Sequence, residues 1–454
     1  MATQPLPLTN DYYAGLKRHA AAIEARYRAL TPKSAALFAD AQTVFPGGFT
    51  RDAFLRKPYA PFVQSGDGAV LTDADGRQIV DFWFNATSLP LGHRHPKVIA
   101  AVSDQLQRGT AFFAPGENEI ALGHEVLSRL PGADLIRFTN SGSEAVMLAL
   151  RLARGHTGRD LIAKFEGSYH GTYDDVSWSV GPPASQLGPA DRPNAAPESA
   201  GLPAALGRTL VLPFNDLEAT TRIVEEHAKR IAAIIIEPMA NRMGLILPSG
   251  EFTRGLRALC DRHGIVLIFD EVIAFRVSYQ GAQGLLGVTP DLTTLGKIIG
   301  GGFPVGAVAG RRDIMMRSAP YQAGRVTHAG TFNANPVTAA AGLATMRELT
   351  PALFERLAAT GADIRARLAG ICTGLPLQVT GAGSLFKITA TDRPIRSYRD
   401  AVTADRAWEE LASLDLLNKG FLTTTQLQGC VSAVTTPAQI DGLVAAIETA
   451  VRAS

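Results

Sequence analysis

The chain has 454 residues, 46% hydrophobic and 19% charged, a composition that fits a well-buried globular enzyme and excludes a disordered chain. Its 44 basic and 42 acidic residues leave a formal charge of +2 with no concentrated basic block, which argues against a nucleic-acid partner. The length is too great for one small core and predicts one large and one smaller domain.

In chain order, residues 11–42 read as helix, which Pro46-Gly47-Gly48 ends. Two β-rich runs around Asp75-Gly76 predict a hairpin between Gly68 and Phe82. From about residue 96 helices alternate with short apolar strands. The strand candidates are Leu161–Phe165, Ile231–Ile236 and Ile265–Asp270, and the helix candidates are Glu144–Arg154, Leu217–Arg230 and Glu251–His263. That alternation predicts an α/β fold with a largely parallel sheet covered on both faces. Residues 181–207, rich in Pro, Ala and Ser, read as a long loop. After Pro336 the composition turns to Ala- and Leu-rich helices with β-like runs at Leu385–Thr389 and Cys430–Val434, which places a boundary near residue 335. Cys260, Cys372 and Cys430 are few and widely spaced. They exclude a disulfide framework and a C-x-x-C metal site and suit a reducing compartment. With no secretory pattern after Met1, and no apolar run near the roughly 20 residues of a bilayer span, a cytoplasmic protein without a membrane partner is expected.

Five motifs carry chemistry. Asn140-Ser141-Gly142-Ser143-Glu144 opens an amphipathic helix, where free backbone N–H groups and the helix dipole favour an anion. Gly142 and Ser143 would cradle a phosphate; ordinary Ser141 N-capping explains the same pattern. Tyr169-His170 follows a strand at the sheet's carboxyl edge, where open α/β sheets bind ligands. Tyr169 would stack on a flat ring or simply pack at the rim, and His170 reads more readily as a structural histidine than as a base. Glu237 closes the second strand, where a carboxylate holds local structure. Asp270 ends the third strand and needs a cationic partner to be buried there; a protonated pyridine nitrogen would supply one, and an N-cap or ion pair is the plainer alternative. Val272, two residues on, faces the same side.

Lys297 lies among Gly296, Gly300, Gly301 and Gly302 in an otherwise uncharged run. Partial desolvation there would lower a lysine pKa toward nucleophilic values, with a solvated lysine the plainer alternative. The run is not a phosphate-binding NTPase loop, because Asp291 and Ile298 stand where Gly and Ser or Thr are needed. Thr331, beside Gly330, would donate to phosphate or form a turn. A buried carboxylate and a lysine in a bed of small residues suit pyridoxal 5′-phosphate (PLP), an aldehyde cofactor that is held covalently and needs its ring nitrogen protonated.

Taken in order, Asn140-Ser-Gly-Ser-Glu-Ala, Ser168-Tyr-His-Gly, Phe269-Asp-Glu-Val, Thr294-Leu-Gly-Lys297-Ile-Ile-Gly-Gly-Gly and Gly330-Thr-Phe-Asn resemble the class III (subgroup II) aminotransferases over nearly the full length. The resemblance implies PLP fold type I, with a mostly parallel seven-stranded sheet in a large domain at 71–335. A smaller α/β domain would combine an N-terminal segment, 1–70, with a C-terminal region, 336–454. It implies Lys297 as the Schiff-base lysine, Asp270 on the pyridine nitrogen and Gly142 with Ser143 on the phosphate. Thr331 would reach a phosphate in the neighbouring subunit of a homodimer. The cofactor set is thus Ser141, Gly142, Ser143, Tyr169, His170, Glu237, Asp270, Val272, Lys297 and Thr331.

Pro46-Gly47-Gly48, Gly92-His93-Arg-His95-Pro96 and Gly381-Ala-Gly383-Ser384-Leu-Phe386 look similar to the glutamate-1-semialdehyde 2,1-aminomutase branch. That aminomutase carries Ser-Pro-Val-Arg after Pro-Gly-Gly; here the run is Arg51-Asp52-Ala53-Phe54, with the arginine moved. Transaminases of β-amino acids in the same branch use an arginine at the position of Arg51 for the substrate carboxylate, a pairing that suits a guanidinium fork. Their second arginine, in a late loop, is absent from Thr423–Gly429, leaving Arg276 and Arg56 as candidates. Phe84, Phe112 and Phe113 would supply an aromatic wall, or ordinary core. The expected activity is transfer of an amino group from an amine or β-amino acid to an oxo-acid by a ping-pong mechanism. The aminomutase reaction and PLP lyase or racemase chemistry are the alternatives.

Overall fold

The structure, a computed structural model, describes residues 11–202 and 208–453. The first ten residues and residues 203–207 of the expected loop lie outside them. The first strands are β1 (Val63–Asp67), β2 (Val70–Asp73), β3 (Gln78–Asp81) and β4 (Leu135–Thr139). They are followed by β5 (Leu161–Phe165), β6 (Thr209–Leu212), β7 (Ile231–Ile236), β8 (Val266–Asp270), β9 (Leu292–Gly296) and β10 (Gly306–Gly310). The C-terminal region adds β11 (Gln378–Thr380), β12 (Leu385–Thr389), β13 (Phe421–Leu422) and β14 (Gln428–Cys430).

The large sheet has seven strands in the order β4-β10-β9-β8-β7-β5-β6, with β10 antiparallel to both neighbours and β9, β8, β7, β5 and β6 parallel. Both faces are covered. Ile234, Ile236, Leu267 and Phe269 pack with Phe252 and Leu256 on one side. Ile235, Val266 and Ile268 pack on the other against Val146 and Leu150 of the helix Gly142–Thr157. The period of two puts Asp270 on the same side as Ile268, under the start of that helix.

The expected continuous helix at 11–42 is three helices, Asp11–Arg18, Ala20–Leu30 and Pro32–Ala41. Pro32 has no N–H and forces Thr31 out of helical geometry (φ −134°). Thr31 Oγ1 instead donates to the Tyr27 carbonyl at 2.6 Å. The hairpin between β2 and β3 forms as expected: Asp73 Oδ1 accepts the N–H of Asp75 and of Arg77, and Gly76 takes φ +83°.

β3 then pairs in parallel with β13, so the hairpin shares a four-stranded sheet with the C-terminal region. A boundary at residue 70 would pass through that hairpin. Tyr13, Leu16, Tyr27, Ile79 and Phe82 from the early chain share one core with Leu357, Ile364, Trp408, Leu443 and Ile447. Among the described residues no helix is long and apolar enough to cross a membrane.

Trp408 is 1% exposed, with the rings of Tyr12 and Tyr13 centred 6.2 and 6.0 Å away. Trp408→Ala should cost about 3–5 kcal/mol, read as a lower urea midpoint of unfolding.

Candidate active site

The expected phosphate cradle lies where helix Gly142–Thr157 meets β8, β9 and β10. Ser141 caps the helix, its Oγ accepting the Glu144 N–H at 3.2 Å. A Cβ on Gly142 would lie 2.9 Å from Val272 Cγ2, and one on Gly296 would lie 3.4 Å from Val272 Cγ1 and 3.8 Å from Gly142 Cα. Gly142, Val272 and Gly296 thus meet at the mouth of the sheet, and a side chain at 142 would force Val272 to shift. Ser143 Oγ accepts the Thr172 N–H at 3.3 Å, which closes the other side. A Cβ on Gly306 of β10 would overlap the Ser141 carbonyl, so the antiparallel strand supports the cradle from beneath.

Asp270 is buried, and His170 Nδ1 lies 2.8 Å from its Oδ2. His170 Nε2 is buried without a partner, which assigns a neutral ring donating Nδ1–H to the carboxylate. Burial pushes the His170 pKa down, in keeping with that form, against the opposing pull of Asp270. Asp270 Oδ1 accepts the Val272 N–H at 3.2 Å. Glu237 accepts the N–H of Tyr169 at 2.9 Å, and burial, reinforced by Asp270, pushes its carboxyl up to about 8. This carboxyl group orients the Tyr169-His170 turn. Tyr169 is half-buried, with the Arg242 guanidinium 5.0 Å from its ring centroid.

Lys297 follows β9 directly and takes φ +49°, a left-handed conformation that costs a non-glycine residue about 1–2 kcal/mol. Burial lowers its pKa, with Asp270 and Glu237 opposing. The structure therefore gathers Ser141, Gly142, Ser143, Tyr169, His170, Glu237, Asp270, Val272 and Lys297 around one sheet edge. Thr331 is not among them: it is exposed on a separate hollow of about 250 Å³ with Arg108 and Phe112. The loop that carries it is nevertheless tied to the cradle, because Asn140 Nδ2 donates to Asn333 Oδ1 at 2.8 Å.

The expected substrate residues divide. Arg51 is exposed in a cavity of about 610 Å³ lined also by Phe54, Trp83, Asn85 and Thr424. Arg276 is corrected: it is 2% exposed, and its guanidinium donates to Ser384 Oγ, Thr87 O, Cys430 Sγ and Val431 O, which leaves no face for a substrate. Arg56 is likewise occupied, by Ser413 Oγ and Thr423 O. Phe84 is corrected as well, being fully buried with Met239, Leu245 and Ala274 rather than facing a pocket. Phe112 and Phe113 are exposed.

Two residues escaped the sequence reading. Lys164, in β5, is fully buried; its Nζ donates to Ser168 O at 2.8 Å and to Trp178 O, and burial lowers its pKa to about 7. It holds the turn that presents Tyr169 and His170. A lysine within the apolar run Leu-Ile-Ala-Lys-Phe was the available signal. Asn85 belongs to a turn, Phe84–Thr87, whose four residues all have positive φ, and this turn packs against Lys297–Gly300. Nothing in its sequence announces that geometry.

A family model described as aminotransferase class-III matches residues 55–449. A glutamate-1-semialdehyde 2,1-aminomutase of Methanothermobacter thermautotrophicus is 42% identical, covering 92% of this chain and 98% of its own. Among solved structures, an omega-transaminase from Sphaerobacter thermophilus is 45% identical with a TM-score of 0.89, covering 92% of this chain and 97% of its own. A beta-phenylalanine aminotransferase from Variovorax paradoxus is 34% identical with a TM-score of 0.87, covering 96% and 97%.

Gly306→Ala should displace Ser141 and weaken cofactor retention by about tenfold or more, measured as the PLP concentration that restores visible absorption to the apo-protein. Lys164→Met leaves two buried carbonyls unpaired and should lower stability by about 1–3 kcal/mol, measured by urea unfolding.

Proposed function

The chain belongs to the class III aminotransferases and works with PLP, and from that premise we propose that it moves the amino group of a β-amino acid, aromatic ones included, to an oxo-acid in a ping-pong cycle. The observation that carries this reading is Arg51. It is a cation with an open hydrogen-bonding edge, in a cavity lined also by Asn85 and Ala86, which belong to the turn that packs on Lys297–Gly300. A guanidinium so placed suits a carboxylate set apart from the reacting amine. Phe49, Phe54 and Trp83 line the same cavity and suit an aromatic group.

The residues present fit the cofactor. The helix N–H groups at Gly142 and Ser143 suit a phosphate, the Val272 side chain held against Gly142 suits one face of a flat ring, and Asp270 suits a ring N–H. Bound there, PLP supplies an aldehyde that condenses with amines and a ring that withdraws electrons. The chain does the rest. Asp270, held by His170 and the Val272 N–H, keeps a proton at the ring nitrogen. Lys297 Nζ, which burial drives toward its neutral form, moves the proton to and from the substrate carbon. Arg51 binds the carboxylate of donor and acceptor in turn.

The working unit in this reading is a homodimer in the cytoplasm. Its support is the exposed apolar side chains Phe112, Phe113 and Phe332 near Thr331, which a second copy would cover. A second reading, aminomutase chemistry, is favoured by the identity to the Methanothermobacter protein.

Three donors added singly without acceptor test the choice by the visible spectrum of the holoenzyme. Bleaching by 3-amino-3-phenylpropanoate is expected. Bleaching by 1-phenylethylamine alone would remove the role of Arg51, and conversion of glutamate-1-semialdehyde to a rearranged isomer would establish the second reading. Lys297→Ala should lower kcat by at least about a hundredfold, and unchanged turnover in a steady-state assay would refute the assignment of the base.

A further inference from the structure

The turn Phe84–Thr87 is unusual in running through four successive left-handed residues, with φ of 46°, 48°, 55° and 73°. Such strain persists only where the surroundings fix it, and it gathers at functional sites. Both ends are fixed here. Asp81 Oδ1 accepts the N–H of Trp83 and Phe84 at 2.7 and 2.8 Å, and Arg276 Nη1 donates to Thr87 O at 2.6 Å. Within this buried frame Asn85 alone is exposed, and it lines the cavity that holds Arg51.

The orientation of the Asn85 amide follows from its neighbours. Ser88 Oγ gives its one proton to the Asn85 carbonyl at 2.9 Å, so it accepts from the Asn85 side chain at 3.2 Å. Nδ2 therefore faces Ser88, and Oδ1 faces Arg51 Nη2 at 3.1 Å. The Arg51 guanidinium also rests on the Phe54 ring, 4.1 Å from its centroid. One contact sets its tilt and the other its rotation.

The other charged groups lining the cavity are engaged. Arg56 donates to Ser413 and Thr423, and Asp81 meets His93 Nε2 at 2.9 Å as well as its two backbone donors. An amide oxygen orients Arg51 without neutralising it, which an aspartate in the same place would do. We propose that Asn85 is a specificity-determining residue: it aims the open edge of Arg51 at a carboxylate, and so selects β-amino carboxylates over plain amines. The inference rests on the reading of Arg51 as the carboxylate clamp.

The test uses the holoenzyme and 3-phenylpropanoate, a carboxylate with no amine, whose Kd is measured by calorimetry for wild type, Asn85→Asp, Asn85→Gly and Arg51→Ala. Asp and Gly both accept a left-handed backbone, so neither substitution should disturb the turn. Asn85→Asp should weaken binding by about tenfold or more, and Asn85→Gly by about threefold, since charged hydrogen bonds are the stronger ones. With 3-amino-3-phenylpropanoate as donor, the same losses should fall on KM rather than kcat. Weak binding in Arg51→Ala with wild-type affinity in both Asn85 variants would overturn the role of Asn85 alone. Wild-type affinity in Arg51→Ala, or no binding to wild type, would remove the clamp and the inference with it.

Discussion

The buried guanidinium of Arg276 is the joint between the segment that follows Asp270, the left-handed turn at 84–87 and the C-terminal region. It lies six residues beyond Asp270, and its hydrogen bonds reach Thr87 in the early chain and Ser384, Cys430 and Val431 in the late one. All four acceptors are neutral. The positive charge is accommodated by backbone dipoles, a hydroxyl and a thiol, in directions that a planar fork can satisfy together and an ammonium cannot. Loss of this one side chain would leave three regions of chain without a common anchor and two buried carbonyls without a donor. The left-handed turn at 84–87 depends on it most directly, because its last carbonyl is one of the four.

Behind the ring site, charge is arranged in two tiers. Asp270 is the carboxylate that would face the cofactor in the proposed reading, and the neutral His170 holds it by a hydrogen bond. Glu237 and Lys164 stand farther back, and both act on the backbone of the Ser168-Tyr169-His170 turn, one as acceptor and one as donor. Burial pushes both toward their uncharged forms. Their work is to fix the turn, which leaves Asp270 and Lys297 as the groups assigned to the reaction in the proposed function.

Much of this was legible in the sequence, for a physical reason. Leu161–Phe165, Ile231–Ile236 and Leu385–Thr389 are strands with the expected bounds, because a fully buried strand is written as a largely apolar run, here broken only by Lys164, Lys387 and Thr389. Asp270 and Lys297 stood out since a charge at the end of such a run needs a purpose. Arg276 did not reveal its role, because its partners are distant in sequence and an isolated arginine in a candidate site reads as a carboxylate ligand. Phe84 misled likewise: only the left-handed backbone turns it inward and turns Asn85 out. Pro32, between alanine-rich runs, is the signal in the sequence that marks the break in the expected helix.

The small unit is made from the two ends of the chain. β3 finds its parallel partner β13 some 340 residues later, and Tyr13, Tyr27 and Phe82 wait for Trp408 and Ile447. A ribosome adds about 5–20 residues each second. The early helices and hairpin therefore spend many seconds outside the ribosome with their apolar faces uncovered, while the central sheet is already free to assemble. Biogenesis of this enzyme thus carries a built-in delay. Its nascent N-terminal segment is the stretch most in need of a chaperone, and its last hundred residues are the ones that end that need.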